Sequence, residues 1–452
     1  MINMTMQPSK EMPIIRKIAF YLSFIFFGLG NIAFGQIIKG LIFFALQIAI
    51  VIFFVFWGGQ HLANFATIGT QNQEFIEIGG SVVTIPGDNS VQLFLLGVFT
   101  ILLFPAVALL AFVSIKSGLV AKQNYLKEKC SLDFKTDCKK LIDKDLHKTL
   151  LTVPFLGLLF FTIVPLVFMI LIAFTNFDRF HQHPELFDWV GFSNFRAFFN
   201  MSADGAQIGR TFVRVLGWTL IWAVLATVTC YFGGIFLAML INQKGIRGKT
   251  FFRTVFVITI AIPAFITLSA VSGMMARNGI VNILLMRWGF ISSPLPFFSD
   301  SMWARVSVIV INMWIGIPFT MLFATGVLQN IPSELHESAK IDGANAWVRF
   351  RKIVMPYVLF ITAPVLITQF IGNINNFNVI FFLTGGAPAV SGAFGGAGST
   401  DLLITWLFRL TAEHNDFSFA SVIGLSVFLI NILISLALFK TKSFKDDTAF
   451  RV

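Results

Sequence analysis

The sequence predicts an all-α polytopic membrane protein, and three observations lead there. Hydrophobic residues make up 56% of the 452-residue chain and charged residues only 12%, against about 25% charged in a typical soluble domain. Apolar runs, most of bilayer length, recur near 18–35, 40–57, 91–114, 149–174, 211–241, 254–275, 303–329, 357–383 and 417–439. The basic residues lie in short segments between those runs, where Lys and Arg fix orientation. Because each backbone polar group in lipid needs an internal partner, the runs are predicted to be helices. About eight spanning helices plus one N-terminal apolar helix are expected.

The first run, 18–35, follows Lys10, Arg16 and Lys17 as a signal peptide would. No small-x-small cleavage site precedes the next run at Gly40, so it is read as retained. Lys116 to Lys148 carries nine Lys against five acids, and Asn242 to Arg253, Arg349 to Lys352 and the tail from Lys440 are also basic, whereas Gly58 to Ser90 has no Lys or Arg. The positive-inside rule puts the first four in the cytoplasm and the last outside. The final six runs then alternate across the membrane and leave the C-terminus cytoplasmic.

Three apolar runs precede Lys116, yet a cytoplasmic N-terminus permits only an even number of crossings before it. Either 18–35 is interfacial or re-entrant or the N-terminus is outside; the length of the run, its Gly28, Gly30 and Asn31, and the basic residues before it favour the first. The organisation expected is 1–148 as N-terminal membrane segments with a basic cytoplasmic loop, 149–445 as the transmembrane domain, and 446–452 as a cytoplasmic tail. Thr175 to Arg210 is an outer loop, and the Gly-rich Gly385 to Gly398 is a mobile outer loop.

Several function classes fall away. The net charge of +11 is not accompanied by an aromatic-basic motif or a DNA-binding helix pattern, so nucleic acid is not an expected partner. Cys130, Cys138 and Cys230 are too few and too scattered for a disulfide framework and have no His at zinc-finger spacing. "GIRGKT", Gly245 to Thr250, resembles the end of a phosphate-binding loop, but Gln243 stands where the first Gly is required and no strand precedes it. No catalytic residue, metal site or cofactor is expected. The central parts of the last six runs contain no Asp, Glu, Lys, Arg or His, which speaks against a solitary ion-coupled carrier.

The polar groups in these runs are neutral amides: Asn312 in "NMWIGIPF", and Asn373, Asn375, Asn376 and Asn378 in "QFIGNINNFNVIFF". An unpaired amide in hydrocarbon costs several kcal/mol, so each must bond a neighbouring helix or face a polar cavity. Four amides within six residues, beside Phe370, Phe377, Phe381 and Phe382, suit an uncharged ligand with many hydroxyls, a sugar before an ion or phosphate. A membrane scaffold leaves that cluster unexplained.

Glu337 to Pro356, "ESAKIDGANAWVRFRKIVMP", is the most structured polar segment between two runs. Ser333 suits an N-cap with Glu334 and Glu337 in the first turn; Gly343 permits a turn, Asn345 can cap a second helix and Pro356 end it. Two short helices over 333–356 are predicted, the second with Trp347, Phe350 and Val354 on one stripe and Arg349, Arg351 and Lys352 elsewhere.

Within this segment, Glu337, Ala339, Gly343, Ile353 and Pro356 match a loop pattern of Glu-Ala-Ala, three residues, Gly, nine residues, Ile-x-Leu-Pro. With Ser338 and Met355 as departures, the segment resembles the permease subunits of binding-protein-dependent ABC importers. "LFFTIVPLVFMILIAFTNF", "FIGNINNF", "FFLTGG" and "TDLLITWLFR" extend the resemblance over most of 150–445, toward the maltose/maltodextrin permeases of the MetI/MalF-like fold. The resemblance implies a bacterial cytoplasmic (inner) membrane location, import of malto-oligosaccharides or similar oligosaccharides, and no enzymatic activity of the chain's own. It implies as partners a second permease subunit in a heterodimer, an ATP-binding subunit dimer seated on 333–356, and an extracellular sugar-binding protein. Sugar contacts would carry over to Asn312, Ile315, Gly316, Phe319, Gln369, Gly372, Asn373 and Asn376, although Gln369 and Gly372 depart from the family's side chains there. The large outer domain that some members insert is replaced by the 36 or so residues of Thr175 to Arg210.

Overall fold

The computed structural model describes residues 13–78, 81–126, 134–199, 206–243 and 245–439. Cys130 and the tail from Lys440 lie outside them. The chain divides into two compact units, Met1–Val190 and Gly191–Val452. Among the described residues seven helices are long and apolar enough to cross a bilayer, or eight if one sharply bent pair counts as a single span.

In the first unit the run at 18–35 is not one helix. It forms α1 (Ile14–Leu22) and α2 (Leu29–Ala33), of nine and five residues, and nine residues reach only about 13 Å against a hydrocarbon core of about 30 Å. Neither can span. Asn31 is buried and donates from Nδ2 to Gln36 Oε1 at 2.8 Å and Ser117 Oγ at 2.7 Å, while the Gly28 N–H donates to Ser114 Oγ at 2.9 Å. The pair is thereby folded as a hairpin on α3 (Ile37–Thr67) and α4 (Ser90–Leu126).

Between α3 and α4 lies an element absent from an all-α reading, a two-stranded antiparallel hairpin of β1 (Glu74–Ile78) and β2 (Ser81–Ile85), with Glu74 opposite Ile85. The helix α5 (Phe134–Ile142) follows, then the span α6 (Leu146–Ile172), whose ladder widens to a π turn at Leu159–Ile163 ahead of Pro165. After α6, part of the expected outer loop is tied back by a β-bridge between Thr175 and Trp189.

The second unit begins with the short α7 (Ser193–Phe199) and is built on the close pairing of α8 (Ala206–Asn242) with α12 (Ser301–Gln329). Lipid tails supply no hydrophobic drive between helices, so small residues that let backbones approach become decisive. A Cβ on Gly234 would run into Thr320 and Met321, and one on Gly316 into Cys230. Between these spans α9 (Lys249–Ala261) and α10 (Ala264–Met275) meet at 91°. The sequence reading of 254–275 as one straight span is corrected here. Pro263 pushes Ile262 into an extended conformation (φ −83°, ψ 128°) and lacks the N–H that a continuous helix would use.

The helix α11 (Ile280–Arg287) leads to α12, whose N-cap Asp300 accepts from the Met302 and Trp303 N–H groups at 2.9 and 3.0 Å. After α12 come α13 (Ser333–Ile341) and α14 (Ala346–Arg349), a π turn over Phe350–Val354, α15 (Met355–Ile374) and α16 (Phe377–Leu383). The chain ends in α17 (Leu403–Ala412) and α18 (Phe417–Phe439).

The stretch 385–398, expected to be a mobile loop, is instead a hydrogen-bonded knot. Two carbonyls here and just beyond accept from side chains far away in sequence, Ala397 from Arg214 at 3.0 Å and Ser399 from Arg305 at 3.1 Å, and two from nearer ones, Gly396 from Arg409 at 2.8 Å and Phe394 from Trp406 at 3.1 Å. At its base the fully buried Asp401 accepts from the Gly398 N–H at 2.7 Å and the Thr405 hydroxyl at 2.8 Å, with Arg409 at 3.4 Å. Burial raises the pKa of Asp401, and Arg409 opposes that rise.

Removing one partner of such a buried pair typically costs about 3–5 kcal/mol. Arg409→Met should therefore lower the thermal unfolding temperature of the purified protein, and adding Asp401→Asn should restore part of it. Because an acid whose folded pKa is raised loses stability as pH climbs past its unfolded value, the Arg409→Met defect should grow from acidic to neutral pH.

Candidate functional site

The broken span α9–α10, the middle of α12, the C-terminal half of α15 and the start of α16 enclose a cavity of about 410 Å³. Seven of the eight sugar-contact candidates line it: Asn312, Ile315, Gly316 and Phe319 from α12, Gln369 and Asn373 from α15, and Asn376 from the turn before α16. Gly372 does not; it is exposed, and a Cβ there would meet nothing within 4 Å. About one turn of helix separates Gln369 from Asn373 on the cavity side, and Gly372 lies beside that stripe, outside the lining.

Further groups line it as well. Asn378 contributes a fifth amide, part of the sequence cluster but not among its expected contacts. Thr259 through Ala264 bring the helix break to the wall, and the last turn of α9 presents carbonyls with no intrahelical donor. Irregular backbone at membrane depth is tolerated where it is buried in protein or lines a cavity. The Ile-Pro pair at 262–263 was the available signal for this wall.

The amides do two kinds of work. Asn373 is buried and donates to Thr227 Oγ1 of α8 at 2.9 Å, while its own carbonyl accepts from Trp222 Nε1 at 3.1 Å. Asn312, equally buried, points Nδ2 at Cys230 Sγ, 3.4 Å away. Asn376 caps α16 by accepting from the Val379 N–H at 3.3 Å and leans on Asn373 Oδ1 at 3.4 Å. Asn375 turns back to the Ile371 carbonyl at 3.0 Å and takes no part in the lining. Gln369 and Asn378 make no hydrogen bond to the described residues. The wall thus offers donors and acceptors of no net charge beside the exposed ring of Phe319, an arrangement that can bind hydroxyls.

The coupling candidates lie together on the segment from α13 to α15. Gly343 has φ +74°, a conformation that suits glycine, and its N–H together with that of Ala344 closes α13 on the Lys340 and Ala339 carbonyls at 3.0 and 2.8 Å. Asn345 then caps α14, accepting from the Val348 N–H at 2.9 Å, as expected. Two expectations are corrected. Pro332, not Ser333, is the N-cap of α13, with no side-chain cap bond. Pro356 does not end the second helix, because the π turn at Phe350–Val354 absorbs the missing N–H and carries α14 into α15.

Glu337, Gly343 and Pro356 are exposed and Ala339 is half-buried, while Ile353 packs with Phe350 against the buried Val354, Val327 and Ile331. Ile341 at 86% and Trp347 at 66% exposure leave an apolar outer face beside the basic residues.

Residues 230–439 match the family described as the inner membrane component of binding-protein-dependent transport systems. The galactooligosaccharide transport permease GanP of Bacillus subtilis is 34% identical over 438 residues, covering 96% of this chain and 99% of that one. The chain belongs to this family of permease subunits. The maltodextrin permease MdxF of Bacillus subtilis is 37% identical over 426 residues, or 91% and 93% of the two chains. A solved bacterial ABC transporter involved in import of the acidic polysaccharide alginate shares the fold, with TM-score 0.54 at 22% identity over 66% of this chain and 96% of that chain. The chain is thus a multi-pass membrane permease subunit of a binding-protein-dependent transport system.

If Asn373 chiefly ties α15 to α8, Asn373→Ala should lower thermal stability by about 1 kcal/mol, the usual range for interhelical hydrogen bonds in membranes. Gln369→Ala, which breaks no such bond, should leave the unfolding temperature unchanged.

Proposed function

We propose that the permease imports malto-oligosaccharides, binding them in the amide-lined cavity and passing them across as ATP-driven partners switch its access. The observation that carries this reading is the convergence of Asn312, Gln369, Asn373 and Asn376 on one uncharged cavity at a broken helix. A sugar hydroxyl both donates and accepts, so neutral amides serve it without the cost of burying a charge. Phe319 offers an apolar face to the sugar's C–H surface, with Ile315 and Gly316 setting the width beside it.

In this reading Glu337, Ala339, Gly343, Ile353 and Pro356 form the coupling element, with the exposed Ile341 and Trp347 inserting into a cleft of an ATP-binding subunit dimer. A second permease subunit pairs with this chain, a sugar-binding protein delivers the substrate from outside, and the C-terminus lies in the cytoplasm. The similarity to maltodextrin permeases over nine-tenths of the chain supports the sugar class.

The decisive experiment is ATP hydrolysis by the complex that co-purifies with this chain, reconstituted with its binding protein, with and without maltotriose. Stimulation by maltotriose is expected; stimulation only by a galacto-oligosaccharide would keep the importer and change its sugar. Gln369→Ala should raise the maltotriose concentration for half-maximal stimulation about fivefold, the equivalent of one lost neutral hydrogen bond of about 1 kcal/mol. Gly343→Pro, which forces a negative φ at a left-handed position, should abolish stimulated hydrolysis and uptake while membrane insertion persists.

A further inference from the structure

Import through a central cavity makes no use of the basic, apolar surface at the N-terminus. On α1 the side chains of Ile14, Ile15 and Ile18 are 75%, 81% and 54% exposed, while Phe20 is buried. The depth of this helix follows from its partners. Phe20 packs with Ala121 and Phe34 with Tyr125, beyond the point where α4 acquires Lys116, whereas the Phe27 N–H is tied further in, donating to Gln47 Oε1 at 2.7 Å. The hairpin therefore lies at the end of the apolar zone with α1 along its edge.

Cations gather at that same level. The Arg16 guanidinium sits 4.5 Å from the Tyr125 ring centroid and the Lys122 ammonium 4.4 Å from that of Phe20. The rings of Phe20, Phe34 and Tyr125 are themselves in contact, at 6.2 and 5.6 Å, so the two cations bracket one aromatic cluster. Lys17 follows Arg16 and is exposed. Stretches 13–73 and 90–126 contain no Asp or Glu, so no described acid in the hairpin, α3 or α4 neutralises them. Ring contacts position a cation while leaving its outward N–H donors for an anion.

We propose that this surface is a binding site for anionic phospholipid, with the headgroup phosphate held by Arg16, Lys17 and Lys122 and the acyl chains laid against Ile14, Ile15 and Ile18. Apolar side chains and cations on one short helix at the membrane edge match both halves of such a lipid. A zwitterionic lipid would gain only the apolar half.

The test is native mass spectrometry of the delipidated complex titrated with phosphatidylglycerol or phosphatidylcholine. Preferential retention of phosphatidylglycerol is expected. Arg16→Gln/Lys17→Gln/Lys122→Gln should weaken it by about tenfold or more, and Lys122→Arg should retain it, which separates charge from folding. Neutralising Lys139, Lys140 and Lys148 instead should leave retention intact. Equal retention of the two lipids, an unaffected triple variant, or displacement of phosphatidylglycerol by millimolar inorganic phosphate would each overturn the assignment.

Discussion

The structure of the second unit depends on one constraint: in hydrocarbon a polar group without a partner costs several kcal/mol, and water is not there to supply one. The α8–α12–α15 core answers it layer by layer. Tyr231 and Thr362 share a hydrogen bond at 2.6 Å, Asn373 reaches Thr227, Trp222 reaches the Asn373 carbonyl, and Asn312 meets Cys230. Each pair crosses between helices and so pins their register as well as their separation. The glycines of α8 and α12 let those two backbones close to within reach of the Asn312–Cys230 contact.

The same constraint explains where the cavity is. Helix breaks at Ile262–Pro263 and at Asn375–Asn376 release backbone groups that lipid could not solvate, and both breaks border the cavity. A cavity lined by such groups is polar for reasons of backbone geometry before any side chain is counted. The amides then divide their labour: Asn373 and Asn312 are largely spent on the scaffold, whereas Gln369 and Asn378 are uncommitted and can turn to a ligand.

How much of this could be read from the sequence varies with the range of the forces involved. The spans were legible because a bilayer demands about 20 apolar residues in a row, and the eight contact candidates rested on the family resemblance, seven of them falling on the cavity wall. The bend at Pro263 was present in "AIPAF" but masked by unbroken hydrophobicity on both sides. The β1–β2 hairpin has β-branched residues on both sides of Gly79 and Gly80, yet its position between two spans disguised it. The knot at 385–398 was beyond local reading, since Arg214 and Arg305 lie roughly a hundred residues or more from the carbonyls they serve, and a Gly-rich composition taken alone suggests motion.

The route from coupling candidates to cavity is a matter of helix mechanics. The π turn at Phe350–Val354 joins α14 to α15 without a break, and α15 carries Gln369 and Asn373 near its far end. Twenty residues of helix span about 30 Å, and Pro364 removes one rung of the α15 ladder between the π turn and the cavity wall. That turn is packed on one side by Val354, Ile353 and Phe350 against Val327 and Ile331 of the α12 end, which opposes local unwinding. One cavity wall is thus continuous with the coupling candidates through α15, whereas the other is broken at Pro263 between α9 and α10.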